Sequence, residues 1–192
     1  MATKTVFDEY KITNAHMRWN ENDTLSAAEE LGCTGKLEIE TEVKTITKRC
    51  EGDETMSVTI PTKMTGIFTG HMPVENLRKV FGISTKGLKE GIYSYGTSSR
   101  QGKGVFTADV LDIYETTKKL MAFPNMQFSD GFKWSLENGQ EEIAEIEAPF
   151  QALKDDNSQF YYEAMEKDIT DADAKAKWHT EFTPELVAAE EI

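Results

Sequence analysis

Between Lys36 and Arg49 the chain runs KLEIETEVKTITKR, with apolar and acidic residues on opposite parities. Leu37, Ile39 and Val43 share one parity; Glu38, Glu40 and Glu42 share the other. Alternation at period two predicts a strand with one buried face and one wet face. Leu37, Ile39 and Val43 are then expected in the core. The three carboxylates on the wet face repel one another mildly, which raises the question of what they face.

Strand signals continue along the chain. TVFDEYKIT (Thr5–Thr13) precedes this strand, and Thr55–Gly70 follows it, rich in Thr, Val and Ile, with Pro61 marking an edge or a bulge. Glu90–Phe123 reads as a strand, a Gly-rich turn and a long strand. Phe132–Leu136, Glu142–Leu153 and, after the turn KDDN, Ser158–Glu166 complete the set. Several short strands separated by turn signals predict a mainly β chain, an antiparallel β-sandwich or partial barrel rather than a parallel sheet.

One segment breaks the pattern. MPVENLRKVFG (Met72–Gly82) has Pro73 at the start, Glu75 in the first turn, Arg78 and Lys79 in the last, and Gly82 beyond the end. These are helix start and stop signals in the right order. Val74, Leu77 and Phe81 give a narrow apolar stripe expected to pack on the sheet. Thr24–Leu31 suits a helical turn within a long loop. Asp168–Ile192 loses the strand rhythm, so the expected organisation is one β domain over 1–167 and an acidic C-terminal tail or arm over 168–192.

Charge sharpens that division. Of the 192 residues, 1–136 carry 17 basic and 18 acidic side chains, whereas 137–192 carry 4 and 16. A chain with a net charge of −13 is a poor ligand for a phosphate backbone, which rewards cations by counterion release. Cys33 and Cys50 flank the first predicted strand, too far apart along it for a disulfide, so free thiols are expected. The opening MATKTVFDEY lacks an apolar segment, so no secretory signal is expected, and no run is long enough to span a membrane.

Candidate chemistry is sparse. His16, His71 and His179 have no Cys or His neighbour at ligand spacing, so no metal is expected. Gly96–Gly104 ends in Gly-Lys-Gly, but its spacing fails the phosphate-loop pattern and a strand follows where a helix is required. Asp171 and Asp173 begin a calcium-loop spacing that Lys175 breaks. Glu145 and Glu147 point to the same side of a strand without a pocket signature around them. No nucleophile constellation stands out. The sequence predicts neither an enzyme nor a cofactor site.

The order of motifs carries more than any one of them. Asn14-Ala15-His16, then Glu51-Gly52-Asp53-Glu54-Thr55, then a Thr-rich strand closing in TGIFTG, then Leu77-Arg78-Lys79-Val80-Phe81-Gly82 occur in series, with FYYEAMEKD near the end. This series resembles the major tail proteins of long, non-contractile-tailed phages, in particular those of Gram-positive hosts, over about residues 5–170. The charged Cys33–Lys48 strand and the Asp168–Ile192 segment depart from the family's pattern. The resemblance implies a β-sandwich with a flanking helix, six copies to a ring, and rings stacked into a hollow tail tube for DNA ejection. It also implies long loops and terminal arms tying ring to ring, tape-measure and tail-end proteins as partners, and a virion location after assembly in the host cytoplasm. It implies, too, that DNA passes without specific binding and that no membrane takes part. In such a ring Glu38, Glu40 and Glu42 would face the lumen, where a wall of DNA's own sign offers no phosphate site.

Two other functions remain open from sequence. One is a related ring-forming component, such as a tail-completion or injection-tube ring. The other is a soluble β-sandwich binding module or carbohydrate-active enzyme using Glu145, Glu147 and the aromatics Trp134, Tyr161 and Tyr162.

Overall fold

The computed structural model describes residues 6–133, 137–139 and 143–189 of the chain. Its strands are β1 (Glu9–Glu21), β2 (Thr24–Leu25), β3 (Glu29–Glu30), β4 (Cys33–Cys50), β5 (Asp53–His71), β6 (Lys103–Asp112), β7 (Lys118–Phe128), β8 (Ile146–Ala152) and β9 (Tyr162–Met165). They join in one antiparallel sheet along the path β2-β1-β6-β7-β8-β5-β4, with β3 on β1 and β9 on β7. The ends of that path do not pair, so no barrel closes. Two short α-helices, α1 (Val74–Phe81) and α2 (Ala172–Lys177), and two 3-10 turns, Glu166–Asp168 and Glu185–Val187, complete the regular structure among the described residues.

The sheet doubles over at β7. Lys119–Ala122 of β7 pair with β9, and only Met126–Phe128 pair with β8. Two leaves result, β1-β6-β7-β9 and β8-β5-β4, with the main core between them. Met17, Phe106, Ala108 and Phe123 enter from the first leaf; Phe68, Ala148 and Phe150 enter from the second. Phe106 meets Phe68 edge to face at 6.3 Å and Phe123 meets Phe150 at 5.9 Å. Buried rings of this kind contribute roughly 1.5–3 kcal/mol each through area removed from water. The Phe150 ring lies over Gly66, where an added Cβ would sit 2.6 Å from Cζ and 2.2 Å from the Glu38 carbonyl oxygen. Glycine in TGIF is thus a packing requirement.

The mainly β architecture with a flanking helix agrees with the sequence, while several boundaries differ. β1 runs eight residues past Thr13 because a bulge intervenes. Thr13 pairs with Asp109 and His16 with Thr107, three residues against two, and Asn14 takes φ 56° between them. The extra residue flips the alternation, so the strand looks finished where only its phase changes. Glu90–Tyr95 is loop, with a single bridge between Ser84 and Ser94 and left-handed Gly87 and Gly91 nearby. Thr24–Leu31 forms β2 and β3 instead of a helical turn, and Leu31 is fully buried.

On α1, Phe81 is buried and Leu77 packs against the core, but Val74 is 53% exposed. The first turn stands clear of the sheet. Contact begins at buried Asn76, whose side-chain amide donates to the Glu30 carbonyl at 2.6 Å, and Val80 takes the place expected for Val74. Lys79 is tied to Glu29 at 2.8 Å, and Glu29 also accepts from the Trp19 indole at 3.2 Å. Gly82 closes the helix at φ 67°, a left-handed conformation that other residues adopt at a cost.

The C-terminal segment is the largest departure. Within the segment expected as an acidic tail or arm over 168–192, residues 169–187 pack on the outer surface of the first leaf. Trp178 and Phe182 form a second core with Val105, Leu120 and Ala122, and Tyr162, Ile169 and Val187 border it. The Trp178 indole donates to the Met121 carbonyl at 3.2 Å and Arg18 donates to the Phe182 carbonyl at 3.2 Å. Asp171 caps α2 by accepting from the backbone of Asp173 and Ala174.

Candidate assembly interface

The predicted strand at Lys36–Arg49 is half of an unusual element. β4 and β5 pair from Cys33–His71 to Cys50–Asp53, a ribbon closed by the two-residue turn Glu51-Gly52. Both turn residues have positive φ, 53° and 95°, as a primed hairpin turn requires. β8 pairs with β5 only over Met64–Gly70. Beyond that point the ribbon has no strand beside it and projects roughly 30 Å, at about 3.3 Å per residue.

Register assigns its two faces. Lys44 opposes Ile60, Ile46 opposes Val58 and Lys48 opposes Met56, so these six side chains share one face. The other face pairs Val43 with Pro61, Thr45 with Thr59 and Thr47 with Ser57; the Thr45 and Thr59 hydroxyls lie 3.2 Å apart. Ile46, Met56, Val58 and Ile60 are 51%, 55%, 47% and 45% exposed. A two-stranded ribbon is marginal in water on its own, and here its apolar face has no cover among the described residues.

Leu37 and Ile39 pack against the core as expected, but Val43 is 55% exposed. It keeps the core parity; the core simply ends before it, where β8 stops at Ala152 opposite Met64. Glu38, Glu40 and Glu42 lie on the outer face of the second leaf, all exposed. Glu42 meets Lys63 across the ribbon at 3.2 Å, Glu38 meets Lys36 at 2.7 Å, and Glu40 stands opposite Thr65. With Glu147 on β8, this face carries four carboxylates against Lys36 and Lys63, around the partly buried Ile67 and Pro149.

The first leaf's outer face carries the opposite arrangement. Thr107 and Asp109 point outward from β6, yet both are buried beneath His179. His179 Nε2 is 2.8 Å from Asp109 Oδ1 and Nδ1 is 3.0 Å from Thr107 Oγ1. Ionised Asp109 only accepts, so Nε2 carries the proton between them. The second Asp109 oxygen accepts from Lys118 and from Asn14, each at 3.1 Å. Burial pushes the Asp109 carboxyl up, and the contacts with His179 and Lys118 outweigh it, leaving the group below its usual range. Hydroxyl, imidazole and carboxylate thus stand in the order a nucleophilic triad uses, but the Thr107 hydroxyl is sealed under the segment that His179 anchors. The arrangement works as a clamp.

Spacing along the sequence missed this cluster because its members come from three distant segments. It brings His16 within 5.5 Å of the His179 ring, while His71 ends β5 elsewhere. Tyr161 and Tyr162 point to opposite sides of β9: Tyr161 stacks on Phe123 at 5.1 Å and Tyr162 on Phe182 at 5.6 Å. They do not converge with Glu145 and Glu147 on one pocket, and Trp134 lies outside the described residues. Cys33 and Cys50 are free at opposite ends of β4. Among the described residues no cluster of His, Cys, Asp and Glu is arranged for a metal ion, and no helix is long and apolar enough to cross a membrane. The chain matches no protein-family model and no curated protein sequence.

Proposed function

We propose that this chain is a tail-tube protein: a structural virion protein whose copies close into hexameric rings that stack into the hollow tail of a long-tailed phage. The observation that carries this reading is the distal β4–β5 ribbon, an amphipathic element whose apolar face the described residues leave about half exposed. A protein that keeps such a face exposed has a partner for it, and a self-assembling protein supplies that partner from another copy. The long free edge of β4 supports the same reading, since ring closure is one way to remove an open sheet edge. The motif order from Asn14 to Gly82 adds the family resemblance.

In this reading the acidic outer face of the second leaf, with Glu38, Glu40 and Glu42, lines the lumen and lets DNA slide without a binding site. The tape-measure protein and the tail-end proteins are the other partners, the tail of the virion is the location, and assembly takes place in the host cytoplasm. No catalytic group or cofactor takes part.

The test is to express the chain alone and examine concentrated samples by negative-stain electron microscopy and by size exclusion with light scattering. Open-centred rings stacked into tubes are expected. Single rings that never stack would favour a tail-completion or injection-tube component. A monomer at every concentration, with or without a preformed initiator end, would overturn the reading.

A further inference from the structure

The bare face of the ribbon also carries charge, and that charge selects among the surfaces a second copy could offer. Lys44 and Lys48 edge the apolar strip and have no carboxylate partner among the described residues. An apolar strip edged by unpaired cations fits an apolar patch edged by carboxylates.

Among the described residues, the exposed large apolar side chains outside the ribbon include Val6, Val74 and Ile143 and two groups. Leu88, Ile92 and Tyr95 sit on the loop between α1 and β6. Lys86 and Lys89 flank them beside Glu90, and in the cleft beneath the loop Arg78, Lys79, Arg100 and Lys103 outnumber Glu21 and Glu75, so this surface fits the ribbon's lysines poorly. Tyr10, Ile113 and Tyr114 form the other group, with Tyr114 79% exposed. They meet where the start of β1 joins the β6–β7 turn, since Glu9 pairs in register with Asp112. Asp8, Glu9 and Glu115 surround them, answered only in part by Lys119 on Glu9 and by Lys11 on Glu115 at 3.1 Å.

We infer that the apolar face of one copy's distal ribbon seats on the Tyr10–Ile113–Tyr114 patch of a second copy, with Lys44 and Lys48 meeting Asp8, Glu9 and Glu115. The inference rests on the self-assembly reading above and names the surfaces it uses. Strip and seat are different surfaces, so the contact is heterologous. It propagates head to tail into a ring or a filament and does not stop at a two-fold dimer. Within each copy Tyr10 and Ile12 share a small cleft with Leu37 and Ile39 at the root of the ribbon. A subunit therefore offers its seat beside the base of the element it extends.

The test uses full chains with Cys33→Ser and Cys50→Ser as background. Val58→Cys and Tyr114→Cys variants, carrying different affinity tags, are produced alone and together, then treated with a short bismaleimide. Covalent dimers bearing both tags are expected in the mixed sample, with neither variant crosslinking to itself. Lys44→Glu with Lys48→Glu on the ribbon should cut the yield at least tenfold, and Asp8→Lys with Glu115→Lys on the receiving copy should restore it. Electron microscopy of the same samples separates the two readings. Hollow tubes without the mixed crosslink would overturn the seat alone, and so would self-crosslinking of Val58→Cys. Crosslinked filaments lacking a lumen would uphold the seat and overturn the tail tube. Uncrosslinked monomers would overturn both.

Discussion

The two leaves of the sheet present their outer faces to different fates. On β6 and β7 the outward positions are Val105, Leu120 and Ala122, with Thr107 and Asp109 between them, and a segment from the far end of the chain covers them all. On β4 and β8 the outward positions include Glu38, Glu40, Glu42 and Glu147, and they stay wet. The same backbone lattice underlies both. What an outer face needs is decided by the residues on it: apolar groups and one buried carboxylate demand a lid, and carboxylates beside lysines do not.

The difference is open to direct attack, and the covered face should yield first. Phe182→Ala or Trp178→Ala removes a fully enclosed ring from the second core. Either should cost about 3–5 kcal/mol, the range for emptying a large aromatic site. Urea unfolding of the isolated chain measures it as a lower midpoint. A cost under 1 kcal/mol would mean that the C-terminal segment is an accessory and not a lid.

Asp109→Ala attacks the polar part of the same lid. It leaves the His179 ring without its carboxylate beneath the segment and removes the acceptor of the exposed Asn14 amide, and it should cost roughly 1–3 kcal/mol, less than a fully buried ion pair because Lys118 is partly exposed. The pH dependence has a definite sign. Asp109 holds its proton less readily in the folded chain than at the unfolded value of 3.8, so its contribution is complete above that value. It is lost as pH falls from about 4 through the depressed folded value. Thermal melts between pH 7 and 2 should show the wild type losing this increment in acid while Asp109→Ala runs flatter. Parallel curves would remove Asp109 from the acid response.

How far the sequence discloses this arrangement follows from the same contrast. The β4 alternation is visible because one face is wet, and Leu37 and Ile39 are found on the buried parity. VFTAD on β6 and LMAF on β7 are buried on both faces, so they show no alternation, and their need for a lid goes unread. The lid was legible in principle: Ala174, Trp178 and Phe182 recur at four-residue spacing within the segment that charge marks as a tail. Acidic side chains on its solvent side masked a narrow apolar stripe on the other. The clamp was not legible, because Asn14, Asp109 and His179 meet only through tertiary pairing across a bulge. The ribbon's reach was equally hidden. Val43 keeps the core parity, and nothing local announces that β8 ends before reaching it.

The distal ribbon extends the bare leaf, and its apolar side chains should matter little to the lone subunit. Ile46→Ser with Val58→Ser deletes two half-exposed side chains that oppose each other across the ribbon, beyond the reach of β8. The expected change in monomer stability is within about 1 kcal/mol, mostly lost β-propensity. Higher-order assembly, followed by light scattering, should fall sharply in the same variant. A variant that assembles normally would show that the ribbon's apolar face is not an interface.

The smallest effect on folding is expected at the glutamates. Glu38→Gln, Glu40→Gln and Glu42→Gln together remove two exposed ion pairs, with Lys36 and Lys63, of a kind worth between nothing and about 1 kcal/mol each. They also relieve repulsion along one strand face, so the net change in stability should lie within about 0.5 kcal/mol in either direction. The unfolding midpoint of the triple variant at low and at high salt measures both contributions, because screening weakens attraction and repulsion alike. A loss above 2 kcal/mol would make the acidic row part of the fold. Neutrality would instead leave its charges free to be set by what passes over that face, as a lumen wall requires, and the variant can then be carried into assembled tubes to measure DNA release.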